Sequence, residues 1–163
     1  MDGAITREGE GWQVRFEPVF AKPIGKVFGA LTTPERLVAW LGAAEIEPRA
    51  GGRFVLNLAD PPYRMEGEVR DYNPPTLLTF TWPNETGAPM SLVRFQLSTE
   101  GASTRLILTQ TFIAQDDLPN VAAGWHEHLE RLDLAADGVT TTRWDRDRET
   151  ALAKHYRGIL ATS

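Results

Sequence analysis

The sequence contains no cysteine, no long apolar run and no cluster of basic residues, and each absence excludes a class of protein. Without cysteine, the 163-residue chain forms neither disulfides nor thiolate metal sites. No stretch approaches the ~18 consecutive apolar residues of a membrane-spanning helix. A net charge of −5 argues against a nucleic-acid partner, because phosphate recognition needs a basic surface. The polar N-terminus lacks a signal-peptide pattern, so a cytoplasmic protein is expected.

One long amphipathic helix is predicted over residues 120–137. Its apolar residues recur with a period of about 3.6 and form one stripe: Val121, Trp125, Leu129, Leu132 and Ala136. The opposite side is charged and is expected to face solvent: Glu127, Glu130, Arg131, Asp133 and Asp137. Because this helix follows a long strand-like region, we expect a sheet to wrap around it.

The rest of the chain predicts strands and two short helices. Apolar and polar residues alternate over 12–20, which indicates a half-buried strand in which Pro18 marks an edge or a bulge. Two short helices are predicted between 24 and 41, with Pro34 in the first turn of the second. Six further strands are predicted at 45–48, 53–59, 63–72, 77–82, 91–98 and 104–113, with turns including 60–62 and 84–87. Residues 1–10 are expected to be a loose lead-in.

This order predicts an α+β helix-grip fold, in which a curved antiparallel sheet of about seven strands surrounds the long helix. The predicted domain spans 1–138, and 139–163 form an extension with a helix at about 145–160. The apolar stripe of that helix consists of Trp144, Leu152, Tyr156, Ile159 and Leu160. Such a stripe must be buried for the helix to be stable, either on its own domain or on a second chain. A homodimer that uses this helix is expected.

Four segments of the sequence resemble a known protein family in their order and spacing. They read AKPIGKVFGALTTPERLVAWLG, GGRFVLNL, MEGEVRDYNPPTLLTFTW and GWHEHLERL. Together they resemble the family named after the activator of the Hsp90 ATPase, over about residues 12–137. That family belongs to the START-like, helix-grip superfamily, which includes Bet v 1 allergens, polyketide cyclases and lipid carriers. The resemblance implies a cavity between the sheet and the long helix, and it implies no particular reaction.

Aromatic residues on the predicted inner surface suggest a ligand site, because small-molecule pockets have apolar walls with a few polar groups. The candidate ligand-binding residues are Trp40, Phe54, Tyr63, Glu66, Phe80, Trp82, Phe95, Leu108, Trp125, His126 and Leu129. The alternative for each aromatic residue is ordinary core packing. Glu66 either belongs to a solvated charged face or points into the cavity, where it could act as an acid or base. His126 either contacts the cavity or forms a hydrogen bond near the helix start.

Other motifs give no sign of a catalytic or cofactor site. His126 and His128 are two residues apart, so on a helix they point about 200° away from each other, and a shared metal ion is not expected. The sequence has no Gly-x-Ser-x-Gly elbow and no nucleotide-binding loop, and no cofactor is expected.

Three functional hypotheses follow from the predicted fold. The first is a non-enzymatic protein that binds a small apolar or amphipathic molecule. The second is a cyclase-, aromatase- or hydrolase-like enzyme, which would need two ionisable groups that converge on a cavity. The third is a protein-interaction module acting on an Hsp90-like chaperone ATPase, which a filled interior and exposed apolar residues would favour. One fold hosts many functions, so the fold alone does not choose among them.

Overall fold

The computed structural model describes residues 1–9, 11–59, 62–83, 90–140 and 144–161, and within them it contains nine strands and four α-helices. The strands are β1 (Ala4–Glu8), β2 (Gly11–Phe16), β3 (Val19–Phe20), β4 (Ala43–Ile46), β5 (Arg53–Ala59), β6 (Pro62–Asn73), β7 (Leu77–Trp82), β8 (Ser91–Glu100) and β9 (Ser103–Ile113). The helices are α1 (Ile24–Thr32), α2 (Pro34–Leu37), α3 (Leu118–Ala136) and α4 (Arg146–Leu160). The predicted turn at 84–87 and most of the turn at 60–62 lie outside the described residues.

The strands form one antiparallel sheet with the order β1-β2-β9-β8-β7-β6-β5-β4, and β3 pairs separately with β9. The sheet is curved and open, and α3 lies in its concave side, which confirms the predicted α+β helix-grip fold. No α-helix in the described parts of the chain is long and apolar enough to cross a membrane.

The expected loose lead-in is wrong for residues 4–8, which form the edge strand β1. Ile5 lies opposite Val14 in the antiparallel pair with β2. Four of the five side chains of β1 are exposed, so the strand is held mainly by main-chain hydrogen bonds. An edge strand of this kind has no apolar alternation, which is the signal from which strands are predicted.

The single strand predicted at 12–20 is divided into β2 and β3 at Pro18. Proline has no N–H to donate to a ladder, but the Pro18 carbonyl still accepts a hydrogen bond from the Leu106 N–H at 3.0 Å. The pairing of β2 with β9 also shifts register between Trp12 and Val14. Nearby, Phe112 has a positive φ of 57°, which is a strained backbone conformation for a bulky residue.

The helix α3 has two covered faces, although the sequence predicts only one. Trp125, Leu129 and Leu132 of the predicted stripe are buried, as expected, and the Trp125 ring packs against Phe95 of the sheet. Glu127 was expected to face solvent, yet it is only 3% exposed, because α4 packs along the outer side of α3. A helical period indicates which side is apolar, but it carries no information about what covers the other side.

The C-terminal helix α4 docks on its own domain. The Asp145 carboxylate caps its first turn by accepting the Arg148 N–H at 3.0 Å. Tyr156 is fully buried beside Phe16, with ring centroids 6.3 Å apart. The Arg148 side chain donates to Glu130 of α3. The stripe that was expected to hold two chains together is therefore largely used within one chain.

Candidate functional site

A cluster of stacked aromatic rings lies on the concave face of the sheet. Phe54 on β5 and Phe80 on β7 stack with their centroids 4.1 Å apart and an interplanar angle of 5°. Gly67 of β6 lies between their strands and has no side chain to separate the rings. A Cβ at Gly67 would come within 2.0 Å of the Thr81 carbonyl oxygen, so the local sheet geometry depends on this glycine.

One end of the aromatic cluster reaches the surface at Tyr63 and Trp82, which are both half-buried. Their rings are nearly parallel, with an angle of 9° and centroids 6.4 Å apart. Trp82 also contacts Phe80 and meets the Trp125 ring edge-on at 6.1 Å. A flat molecule that stacks on these two rings would therefore be continuous with the buried part of the cluster.

Trp125 of α3 connects the sheet to the helices at the centre of the cluster. Its ring packs edge-on against Phe95 at 5.9 Å and contacts His128 at 6.0 Å. Trp40, which follows α2, contacts both Phe95 and His128. The Trp40 indole N–H donates to the Ala30 carbonyl at 2.9 Å, so its ring orientation is fixed from α1.

A chain of buried polar groups meets the aromatic cluster at Trp125. The Trp125 indole N–H donates to Gln110 Oε1 at 2.6 Å, and Gln110 Nε2 donates to Ser91 Oγ at 2.9 Å. The Ser91 hydroxyl then donates to the Thr111 carbonyl at 2.7 Å. Because buried polar groups are costly without partners, this chain fixes the Trp125 ring relative to β8 and β9.

The deep interior is filled by side chains where the sequence predicts open space. Phe80 and Leu108 are 0% exposed and Phe95 is 1% exposed. A side chain that lined a water-sized void would keep part of its surface free, so no such void adjoins these three side chains in the described part of the chain. Among the aromatic candidate residues, Tyr63 and Trp82 keep free surface, whereas the others are buried. The candidate site is therefore the Tyr63–Trp82 end of the cluster.

Most other candidate residues are part of the buried core, but Glu66 is not. Trp40, Phe54, Trp125 and Leu129 are buried. Glu66 lies on the outer face of β6, where it binds Arg64 and, at 3.1 Å, Arg53. These hydrogen bonds lower the pKa of the Glu66 carboxyl, Arg64 having the larger effect. The prediction that Glu66 points into the cavity is wrong, because alternation along β6 places it opposite the inward side chains of Met65 and Val69.

His126 lies on the outer side of α3, away from the aromatic cluster. Its Nδ1 is 2.9 Å from the Tyr156 hydroxyl, which also accepts the Gly3 N–H at 3.0 Å. Nε2 lies 3.4 Å from the Glu130 carboxylate, which only accepts, so the neutral ring carries its proton on Nε2 and Nδ1 accepts from the tyrosine hydroxyl. Burial lowers the pKa of His126 and raises the pKa of Tyr156 to about 12. The interpretation of His126 as a cavity residue is wrong, because α4 occupies the space beside it.

His128 and Gln110 are members of the cluster that the sequence prediction missed. His128 Nδ1 donates to the Trp40 carbonyl at 2.7 Å, and the ring packs against Trp144 at 4.7 Å. Burial lowers the pKa of His128 to about 4, so the ring is neutral at pH 7. In both cases, the spacing from a predicted inward-facing residue could have identified the side chain as part of the cluster. His128 is one helical turn from Trp125, and Gln110 has the same strand parity as Leu108.

The described residues contain no cluster of three His, Asp or Glu side chains that could hold a metal ion. His126 and His128 face different neighbours, Tyr156 and Trp40 respectively. The described histidines thus do not converge on one point.

Comparison with solved structures finds several proteins of the same fold. CalU16 from Micromonospora echinospora superposes with a TM-score of 0.79 at 24% identity, covering 98% of each chain. EF2215 from Enterococcus faecalis, a conserved protein of unknown function, has a TM-score of 0.77 at 19% identity, covering 98% of this chain and 91% of its own. DynU16, described as a putative protein in the dynemicin biosynthetic locus, has a TM-score of 0.72 at 22% identity, covering 82% of this chain and 50% of its own. These similarities show the fold alone.

Comparison with curated proteins finds no match. Residues 21–137, however, match the family described as Activator of Hsp90 ATPase homolog 1-like protein. The match runs from the residues before α1 to the end of α3 and includes every ring of the aromatic cluster except Trp144. The chain belongs to the family of Activator of Hsp90 ATPase homolog 1-like proteins.

Proposed function

We propose that this protein binds a small apolar or amphipathic molecule at the Tyr63–Trp82 end of its aromatic cluster. The observation that supports this proposal is the pair of half-buried, nearly parallel rings, which continue inward through Trp125. Aromatic surface of this kind gains free energy when a second flat apolar surface covers it. The ligand lies at the end of the cluster, because the side chains around Phe80 and Leu108 leave no space for it.

The physical scale of such binding is modest. Each ring contact contributes about 0.5–1.5 kcal/mol beyond burial, whereas a dissociation constant of about 1 μM requires about 8 kcal/mol. Burial of the ligand's own apolar surface must supply most of the difference. DynU16 shares this fold, and at 22% identity it transfers no role to this chain.

Binding is tested by NMR titration of the 15N-labelled protein with 2-methylnaphthalene as an apolar probe. The chain has five tryptophans, so it has five indole N–H signals to monitor. We expect the Trp82 and Trp125 signals to shift, and we expect Trp82→Ala to weaken binding by about tenfold. Trp12→Ala is the matched control, because Trp12 is also half-buried but lies three strands away from β7 in the sheet. Unchanged indole signals at saturating probe would refute the proposal.

A second candidate function is a protein-interaction module that acts on an Hsp90-like ATPase. The filled deep interior favours it, together with exposed apolar residues on the helical side of the molecule, Val38, Leu134 and Val139. The family description points to the same class of partner. The test is the ATPase rate of an Hsp90-type chaperone with and without this protein. Stimulation that survives Trp82→Ala but not Val38→Glu would favour this candidate over ligand binding.

The domain division, the homodimer and the cytoplasmic location stay predictions. We propose residues 1–138 as the binding domain and 139–163 as an extension that stabilises it. Burial of Ala153 and Tyr156 within one chain removes the main argument for an α4-mediated dimer. The dimer is tested by sedimentation of the full chain and of a chain that ends at Gly138. An α4-mediated dimer requires that the full chain sediments as a dimer and the shortened chain as a monomer.

A further inference from the structure

We infer that Gln110 is the specificity-determining residue of the proposed site, and that the ligand is an aromatic molecule bearing a hydroxyl group. This inference rests on the proposed function, because it names the chemical class of the ligand. The observation behind it is a buried glutamine with unused hydrogen-bonding capacity, whose partners Trp125 and Ser91 both adjoin Trp82.

Chemistry fixes the orientation of the Gln110 amide. The Trp125 indole N–H is a donor only, so the atom that it meets at 2.6 Å is the amide oxygen, Oε1. The amide nitrogen therefore faces Ser91 Oγ at 2.9 Å, and the Ser91 hydroxyl proton is directed to the Thr111 carbonyl. The hydrogen bonds of this chain therefore run in a single direction, from Trp125 through Gln110 and Ser91 to the Thr111 carbonyl.

The orientation leaves part of Gln110 unused. An amide side chain accepts two hydrogen bonds and donates two. Oε1 accepts one from Trp125 and Nε2 donates one to Ser91, so one lone pair and one N–H are left over. Gln110 is only 6% exposed, so bulk water compensates these positions poorly. A ligand hydroxyl would use both, because it donates to Oε1 and accepts from Nε2–H.

Gln110 lies close to the surface where the ligand would stack. Its partner Ser91 is the cross-strand neighbour of Trp82, and its partner Trp125 meets the Trp82 ring at 6.1 Å. An aromatic ring on Trp82 would place a short substituent toward Gln110. A hydroxyl satisfies the amide there, and a methyl group of similar size leaves it unpaired. A site of this kind discriminates against the ligand that lacks the polar group.

The alternative is that Gln110 only fixes the position of Trp125 in the folded protein. The test compares 2-naphthol with 2-methylnaphthalene, two flat probes of nearly equal size, by calorimetry on the full chain. If Gln110 selects the ligand, 2-naphthol binds about tenfold more tightly, as expected for two neutral hydrogen bonds. Gln110→Leu then lowers this ratio to about one while 2-methylnaphthalene still binds. Gln96→Leu, an exposed glutamine on β8, is the matched control and leaves the ratio unchanged.

A second measurement covers the case in which Gln110→Leu does not fold. In the wild-type protein, the Gln110 side-chain amide signals shift on titration with 2-naphthol, and 2-methylnaphthalene shifts them much less. If both probes bind equally well and neither moves those signals selectively, the role of Gln110 is refuted and the proposed function stands. If neither probe binds, the proposed function itself fails.

Discussion

The two faces of α3 are buried by different chemistry. The inner face presents Trp125 and Leu129 to the aromatic rings of the sheet, and its one conspicuous polar atom, the Trp125 indole nitrogen, is paired with Gln110. The outer face is covered by α4 and buries Glu127 and His126. The sheet therefore makes a mainly apolar contact with α3, and α4 makes a more polar contact with the opposite side of the same helix.

The outer, polar face of α3 depends on hydrogen-bond partners for its buried polar atoms, whereas the inner, apolar face requires mainly well-packed side chains. Glu127 Oε1 accepts from Arg131 at 2.6 Å and from the Asp145 N–H at 3.1 Å, while its Oε2 is buried without a hydrogen-bond partner among the described residues. Removing one partner from a buried polar group costs the desolvation of the other. The inner face responds chiefly to lost volume, whereas the outer face responds chiefly to lost hydrogen-bond partners.

The largest loss of stability should come from removing the large aromatic side chain of the inner face, Trp125. We expect Trp125→Ala to lower the free energy of unfolding by about 3–5 kcal/mol, the usual range for deleting a large buried aromatic side chain. Urea unfolding followed by circular dichroism measures it. Val121→Ala, at a half-buried position of the same helix, is the control and should cost less. An unchanged midpoint for Trp125→Ala would show that the inner face does not depend on this ring.

Acidification should lower the stability through His128, a half-buried histidine whose ring packs against Trp125 and Trp40. The folded-state pKa of His128 is about 4, below its ordinary value of 6.5, so the unfolded chain binds more protons between these values. Stability is therefore fully present above about pH 6.5 and falls as the pH drops toward 4, by on the order of 3 kcal/mol. Urea unfolding between pH 7 and pH 4 measures this slope. His128→Asn should make this slope shallower, and part of the remaining slope comes from His126, whose pKa burial also lowers. His155→Asn, at an exposed position, is the control. Equal slopes in all three proteins would contradict the assignment.

The outer face is probed by removing one oxygen atom. Tyr156→Phe deletes the hydroxyl that accepts the Gly3 N–H and donates to His126. We expect a loss of about 1–3 kcal/mol, the cost of leaving buried groups without partners. Hydrogen exchange should accelerate in β1 and α4 more than in β7. Tyr72→Phe, a half-buried tyrosine of β6, is the control. Uniform acceleration across the sheet would mean that the hydroxyl supports the whole fold and not the outer face.

The smallest effect is a gain in stability on α3 itself. Gly124 lies inside the helix, and a Cβ placed there meets no atom within 4 Å. Gly124→Ala should raise the free energy of unfolding by about 0.5–1 kcal/mol, since alanine loses less backbone entropy in a helix. Thermal unfolding measures the gain. A loss of stability would show that the two covers of α3 leave no room for a methyl group.

Much of the architecture could be predicted from local pattern. The 3.6-residue period placed Trp125, Leu129 and Leu132 on the inner face of α3, and the stripe that includes Tyr156 predicted α4. Element order then led to a helix-grip fold. These features could be predicted because each depends on a pattern of residues that are close together in the sequence.

Other features were decided by contacts between distant segments. The exposed face of Glu66 followed from the register of β6, and β1 became a strand only by pairing with β2. The burial of Glu127 required α4 to fold back over α3. The interior is filled partly because Phe54 of β5 and Phe80 of β7 stack across Gly67 of β6. This contact exists only once the sheet has brought the three strands together. Sequence periodicity records which side of an element is apolar. What covers each side, and how much space is left, is determined by side-chain volumes from segments far apart in the chain.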